Sequence, residues 1–197
     1  MHKKSGAPRC CNQGRPYSFT MIDGEQKIIE RAVRGESSAF GELYDHYHPK
    51  IYRFVLFKVS QREEAEDLTH EIFISAWQSM RTYRDFGFPF SSWLYQIARN
   101  RIIDHYRTKK PQTPLEEMDP EYFVAPAMAP VMLEGKMEME RVRKALSRLK
   151  TEYQDVVIMR FIEELSLKET AAALGKTEGA VKLMQHRAMK ALQGLMA

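Results

Sequence analysis

The chain has 197 residues, 44% hydrophobic and 28% charged, the balance of a globular protein with room for one or two small domains. It holds no run of 18 apolar residues and no apolar leader core, so neither a membrane-spanning helix nor a secretory signal is expected. The net charge of +4 comes entirely from Lys3, Lys4, Arg9 and Arg15, and the rest of the chain balances its acids and bases. Any nucleic-acid binding must therefore come from how charge is distributed.

Residues 1–21 are rich in Gly, Pro, Ser and Lys without periodicity and read as a disordered basic tail. Met21 is the expected true start. The tail holds both cysteines, Cys10 and Cys11, which have no metal-ligand spacing and point to a reducing cytoplasm. From Asp23 to about Lys110 the apolar spacing is helical throughout. Ile28, Ile29, Ala32 and Val33 form a short stripe ended by Gly35. A second helix, capped by Ser37 or Ser38, carries Phe40, Leu43, Tyr44, Tyr47, Ile51, Phe54, Val55 and Val59, with Pro49 as a potential kink. Ser60 and Glu63 have capping-box spacing, and the helix they open has Ala65, Leu68, Ile72, Phe73 and Ala76 inside. Residues 82–89 (TYRDFGFP) read as a loop. A helix from about Ser91 to Thr108 turns Leu94, Ile97, Ala98, Ile102 and Tyr106 inward.

Residues 109–134 hold five prolines and no trustworthy period, the mark of a linker. Extended, it would span about 80 Å. Helical spacing resumes near Glu134, with Met137, Val142, Ala145 and Leu149 on one face. Thr151 and Gln154 have capping-box spacing before Val156, Val157, Met159, Phe161 and Leu165. Ser166 and Glu169 have it again, before Ala171, Ala172, Leu174 and a terminating Gly175. Thr177 then opens a basic helix with Val181, Met184, Ala188 and Leu192 inward. Two helices joined by a tight Gly turn, the second basic, make a helix-turn-helix whose second helix enters a major groove; a plain helical hairpin is the alternative. The fold class is all-α: two small helical domains, 22–108 and 135–197, joined by a flexible acidic Pro-containing linker.

Charge alternates along the chain. Residues 90–110 and 166–197 are basic, whereas 61–85 and 111–140 are acidic. Seven aromatics between Tyr83 and Tyr106 interleave with Arg and Asn, a mixture suited to single strands because bases stack on rings while cations track the backbone. Trp93, Asn100 and Arg101 fall off the inward stripe, and Arg99, Arg101 and Arg107 have almost no acids near them in sequence. On the preceding helix, Asp67, His70, Glu71 and Ile74 share a face opposite the core, a protein-docking pattern or simply a solvated face. Enzyme motifs fail. LGKT at 174–177 lacks the first Gly of a P-loop, His70-Glu71 lacks the second His of a zinc motif, and no Ser/His/Asp set or metal-ligand cluster stands out. No enzyme activity, cofactor, metal or small-molecule substrate is expected.

Four stretches in order resemble a known family: AFGELYDHYHPKIYRFV at 39–55, EEAEDLTHEIFISAW at 63–77, FSSWLYQIARNRIIDHYR at 90–107, and residues 149–192 (LKTEYQDVV through AMKAL). Together they resemble a bacterial RNA polymerase sigma factor of the extracytoplasmic-function group. The resemblance implies that Asp67, His70, Glu71 and Ile74 dock on core polymerase. It implies that Tyr83, Arg84, Phe86, Trp93, Arg99, Asn100 and Arg101 meet the minus-ten element, including its melted non-template strand. It assigns Thr177, Gly179, Ala180, Lys182, Leu183, His186, Arg187 and Lys190 to the duplex minus-thirty-five element. The acidic linker would lie in polymerase channels otherwise used by RNA. An anti-sigma factor, often membrane-bound, is the further partner implied for this cytoplasmic chain, which itself inserts in no membrane. The sequence departs from the family where Lys150 replaces a usual Pro, Thr170 a usual Ile, and Leu183 and Met184 small polar or basic residues. A stand-alone helix-turn-helix regulator of duplex DNA is the rival reading, and a helical scaffold a more distant one.

Overall fold

The computed structural model describes Ile22 and residues 24–59, 61–108 and 141–196. The tail, the linker, Ser60 and Met137 lie outside the described residues. The first half is built of α1 (Glu25–Val33), α2 (Ser37–Leu56), α3 (Arg62–Met80) and α4 (Phe90–Thr108). Residues 141–147 are helical and are called α5. Then come α6 (Thr151–Val157), a π-helical turn (Ile158–Ile162), α7 (Leu167–Leu174) and α8 (Glu178–Met196).

α2 is the axis of the first half, packed on α1, α3 and α4. Its Leu43, Tyr47, Ile51 and Phe54 are fully buried, as the i, i+4 spacing requires. Each such side chain contributes roughly 1.5–3 kcal/mol by leaving water. Rings interlock across helices: Phe54 meets Tyr95 edge-on at 5.3 Å between centroids, and Tyr47 lies 5.6 Å from Phe90. The Tyr47 hydroxyl donates to the buried carboxylate of Glu25, tying α1 to α2. The helix runs on through Pro49.

Three of the expected caps are corrected. The N-cap position of α2 is Glu36, whose side chain makes no cap bond, and not Ser37 or Ser38, which are already helical. Arg31 holds the Glu36 carboxylate (Nε to Oε2, 2.9 Å) and Ser38 donates to it at 2.9 Å, and these bonds, Arg31's foremost, hold its pKa down to about 2. α3 starts after Gln61, with Glu63 and Glu64 in the first turn where the helix dipole favours acids. α6 starts after Lys150, and Gln154 donates instead to the carbonyls of Ser147 (3.3 Å) and Leu149 (3.1 Å), which the end of α5 leaves open. Two apolar assignments are also corrected. Tyr106 is 49% exposed, its hydroxyl donating to the carbonyl of Lys58. Phe161 is likewise 49% exposed, because the π turn, closed by Glu163 N–H to Ile158 O at 2.9 Å, breaks the i, i+4 register.

The two halves are packed together, α7 against α4. The interface is charged. Asp155 of α6, with no exposed side-chain surface, accepts from Lys58 Nζ at 2.8 Å and Arg99 Nε at 3.0 Å. Glu163, equally buried, accepts from Arg53 Nε (2.7 Å), Arg53 Nη2 (2.8 Å) and the Tyr95 hydroxyl (3.1 Å).

Two expected outcomes follow from local geometry. Ser166→Ala removes one half of the α7 capping box and lowers stability by about 1 kcal/mol, read by thermal or urea unfolding. His48, ringed by Tyr44, Tyr52, Phe73 and His70, titrates below the ordinary 6.5, first through burial and then through His70. The unfolded chain then takes up its proton first, so the stability held by neutral His48 is full above pH 6.5 and lost as pH falls below it. Melting curves of wild type and His48→Gln at pH 5.5 and 7.5 should show a smaller acid-induced loss in the variant.

Candidate nucleic-acid interface

The helix-turn-helix is set by its sequence punctuation. The α7 capping box is complete: Glu169 N–H donates to Ser166 Oγ at 3.1 Å and Ser166 N–H to Glu169 Oε2 at 2.8 Å. Gly175 takes φ +62°, and the turn closes with Lys176 N–H on Ala171 O (2.9 Å) and Gly175 N–H on Ala172 O (3.2 Å). That is a Schellman ending, which a left-handed Gly makes cheap. Thr177 Oγ1 accepts from Ala180 N–H at 3.2 Å and starts α8.

α8 then presents two faces. Val181, Ala188 and Leu192 are buried and Met184 packs beside them, as expected. Gly179, Lys182, Leu183, His186 and Lys190 are exposed on one stripe, Arg187 beside it, with Ala180 half-buried at its edge. Leu183 is 50% exposed, an apolar side chain amid cations. Such a side chain suits a thymine methyl. No atom lies within 4 Å of where a Cβ on Gly179 would stand, so internal packing does not require glycine there.

The aromatic loop is divided. Phe86 is 80% exposed and Arg84 exposed beside it, whereas Tyr83 is buried against Phe90 (5.5 Å) and Trp93 (5.0 Å). Burial pushes the Tyr83 phenol up to about 12. Tyr83 thus supports the loop from beneath, and Trp93 is half-buried. Gly87, at φ +77°, donates its N–H to Asp85 Oδ1 at 2.7 Å and fixes the loop's tip. A cleft opens between Arg84, Phe86, Phe88, Ser92, Trp93 and Gln96, and Ala172 of α7 forms part of its wall. The Ser92 hydroxyl is buried with no hydrogen-bond partner among the described residues. Behind the loop, Asn100 is exposed and Arg101 is steadied by Ser75 Oγ at 2.9 and 2.6 Å. Arg99 points elsewhere, to Asp155.

On α3 the four docking candidates share one exposed face: Asp67, His70, Glu71 and Ile74, the last 57% exposed. Sequence reading missed Trp77, 37% exposed and 5.0 Å from Phe40, which continues that face three residues after Ile74. Its i+3 spacing was the available signal. Among the described residues no group of His, Cys, Asp and Glu is arranged to hold a metal, and no helix is long and apolar enough to cross a membrane.

The departures from the family pattern have physical accounts. Lys150 sits at φ −59°, the angle a proline would impose. Thr170 is buried with its hydroxyl on the Ser166 carbonyl at 2.9 Å, so it fills an apolar position without an unmet donor. Met184 packs against the core.

Comparison with known proteins gives the family. The sigma-70 region 2 family matches residues 43–112 and the sigma-70 region 4 family matches residues 139–192. The chain is 36% identical over 184 residues to the ECF RNA polymerase sigma factor BldN of Streptomyces coelicolor, spanning 92% of this chain and 69% of that one. It is 31% identical over 177 residues to the ECF RNA polymerase sigma factor SigW of Bacillus subtilis, spanning 85% and 94%. Among solved structures, the sigma factor RpoE in complex with the anti-sigma factor NepR from Bartonella quintana shares the fold, with a TM-score of 0.65 at 22% identity over 80% of this chain and 96% of that one. The rival reading of a stand-alone regulator gives way, and the chain belongs to the sigma-70 family, in its extracytoplasmic-function group, as a sigma factor that binds RNA polymerase and directs promoter recognition.

Proposed function

We propose a division of labour among named surfaces. The exposed α3 face of Asp67, His70, Glu71 and Ile74, extended by Trp77, docks on core polymerase. The loop around Arg84 and Phe86, with Trp93, Asn100, Arg101 and, once released, Arg99, takes the minus-ten element as melted strand, and Tyr83 supports that loop. The α8 stripe of Gly179, Lys182, Leu183, His186, Arg187 and Lys190, opened by Thr177 and Ala180, reads the minus-thirty-five duplex. The domains behind these surfaces are 22–108 and 135–197. The protein performs no catalysis of its own; it lends specificity to polymerase in the cytoplasm. An anti-sigma factor is its restraining partner, as NepR is found with the Bartonella RpoE.

The observation that supports the DNA assignment most directly is the α8 stripe, which has cations and an uncovered Gly179 where a structural hairpin would need neither. The test of the whole reading is in vitro transcription with purified core polymerase and a library of bacterial upstream sequences. Protein-dependent transcripts sharing two spaced upstream elements are the expected result; DNA binding without polymerase binding would overturn it.

Three variants test its parts. Asp67→Ala combined with Glu71→Ala should weaken capture of core polymerase in a pull-down, and unchanged capture removes the docking face. Lys182→Ala or Arg187→Ala should lower promoter use, and each lost phosphate contact should reduce the salt slope of DNA binding by about one. Normal promoter use by both variants would overturn the α8 assignment.

A further inference from the structure

Of the three arginines on α4, two are paired with carboxylates: Arg99 with Asp155 at 3.0 Å and Arg107 with Asp104 at 3.2 Å. Arg101 has no carboxylate partner among the described residues. Asp104 stands three residues after it, a spacing at which helical side chains meet, yet Asp104 pairs with Arg107. Arg101 instead reaches across to α3 and gives two donors to one neutral oxygen. Its Nε donates to Ser75 Oγ at 2.9 Å and its Nη2 to the same atom at 2.6 Å.

The hydroxyl is committed in turn. Ser75 Oγ donates its one proton to the Glu71 carbonyl at 2.8 Å, which leaves both of its lone pairs for Arg101. A guanidinium carries five N–H donors. Ser75 takes one from Nε and one from Nη2, the side edge of the fork. Both Nη1 protons and the second Nη2 proton remain, and they form the end edge, which takes two phosphate oxygens side by side. Ser75 is half-buried and Arg101 exposed, so that edge is open to an outside ligand. A carboxylate in place of Ser75 would fix the cation and cancel its charge. The neutral hydroxyl fixes it and leaves the charge intact.

We propose that Ser75 is a positioning residue for Arg101: it presets the guanidinium, end edge outward, to grip a backbone phosphate of the minus-ten strand. Arg101 is the group that touches DNA, and Ser75 acts through it. A loose arginine loses rotamer freedom when it grips a phosphate, whereas here most of that loss is taken on folding. The inference rests on the minus-ten reading of Arg101 above and deepens it. Ser75 follows Ile74 directly, so the helix proposed to dock on polymerase also aims this DNA contact.

The experiment uses full-length protein without polymerase. Fluorescence anisotropy follows binding to a labelled mixed-sequence single strand of about 20 nucleotides across a range of salt. Arg101→Ala removes the contact, so binding weakens and the salt slope falls by about 0.7, the share of one phosphate on a single strand. Ser75→Ala removes only the positioning, so binding weakens about fivefold while the slope holds, because the cation is still present. Ser75→Thr keeps a hydroxyl and restores wild-type affinity. Added to Arg101→Ala, Ser75→Ala weakens binding no further, since its effect runs through that arginine. Additive losses in the double variant overturn action through Arg101. A Ser75→Ala protein that melts at lower temperature but binds strand as wild type has lost only a backbone contact, and that result overturns the positioning role while the minus-ten reading stands. A wild type that does not bind the strand, or an Arg101→Ala protein that binds it equally well, overturns the reading of Arg101 and the proposal with it.

Discussion

The arrangement of this chain depends on what a carboxylate needs when it loses water. Asp155 and Glu163 have no exposed side-chain surface, and an isolated buried carboxylate is prohibitively unfavourable. Each is matched by cations from the other half of the chain, Lys58 and Arg99 for one and Arg53 for the other. The Tyr95 hydroxyl adds a neutral donor. Such pairs contribute little net stability over an apolar contact, because desolvation offsets most of the attraction. What they supply is selectivity: an orientation of the halves that offers each carboxylate its cations is tolerated, and a slipped one leaves a bare charge. The π turn belongs to the same device. It widens the chain at Ile158–Ile162 just before Glu163 and leaves Phe161 outside.

How far this was legible in the sequence divides along the range of the interactions. The buried rows of α2, α3 and α4 follow from 3.6-residue periodicity, which is a property of neighbours in the chain. The α7 capping box and Gly175 were readable because serine, glutamate and glycine act within three or four residues. The caps expected for α2, α3 and α6 were not, although the last two have the same letter spacing. At α2 the chain enters the helix at Glu36, whose carboxylate is taken up by Arg31 of α1, and at α6 the open carbonyls of α5 claim Gln154. A capping motif competes with whatever else reaches it, and that competitor is tertiary. The exposed face of α3 was legible except for Trp77, whose contact with Phe40 leaves part of the ring outside.

The contact between the halves was illegible for a sharper reason. Arg99 stands in a stretch nearly empty of acids, so sequence proximity marked it as free for DNA. Its partner lies 56 residues away, beyond a proline-rich linker, and the partner of Arg53 lies 110 residues away. Charge bookkeeping within windows of the sequence cannot see such pairs.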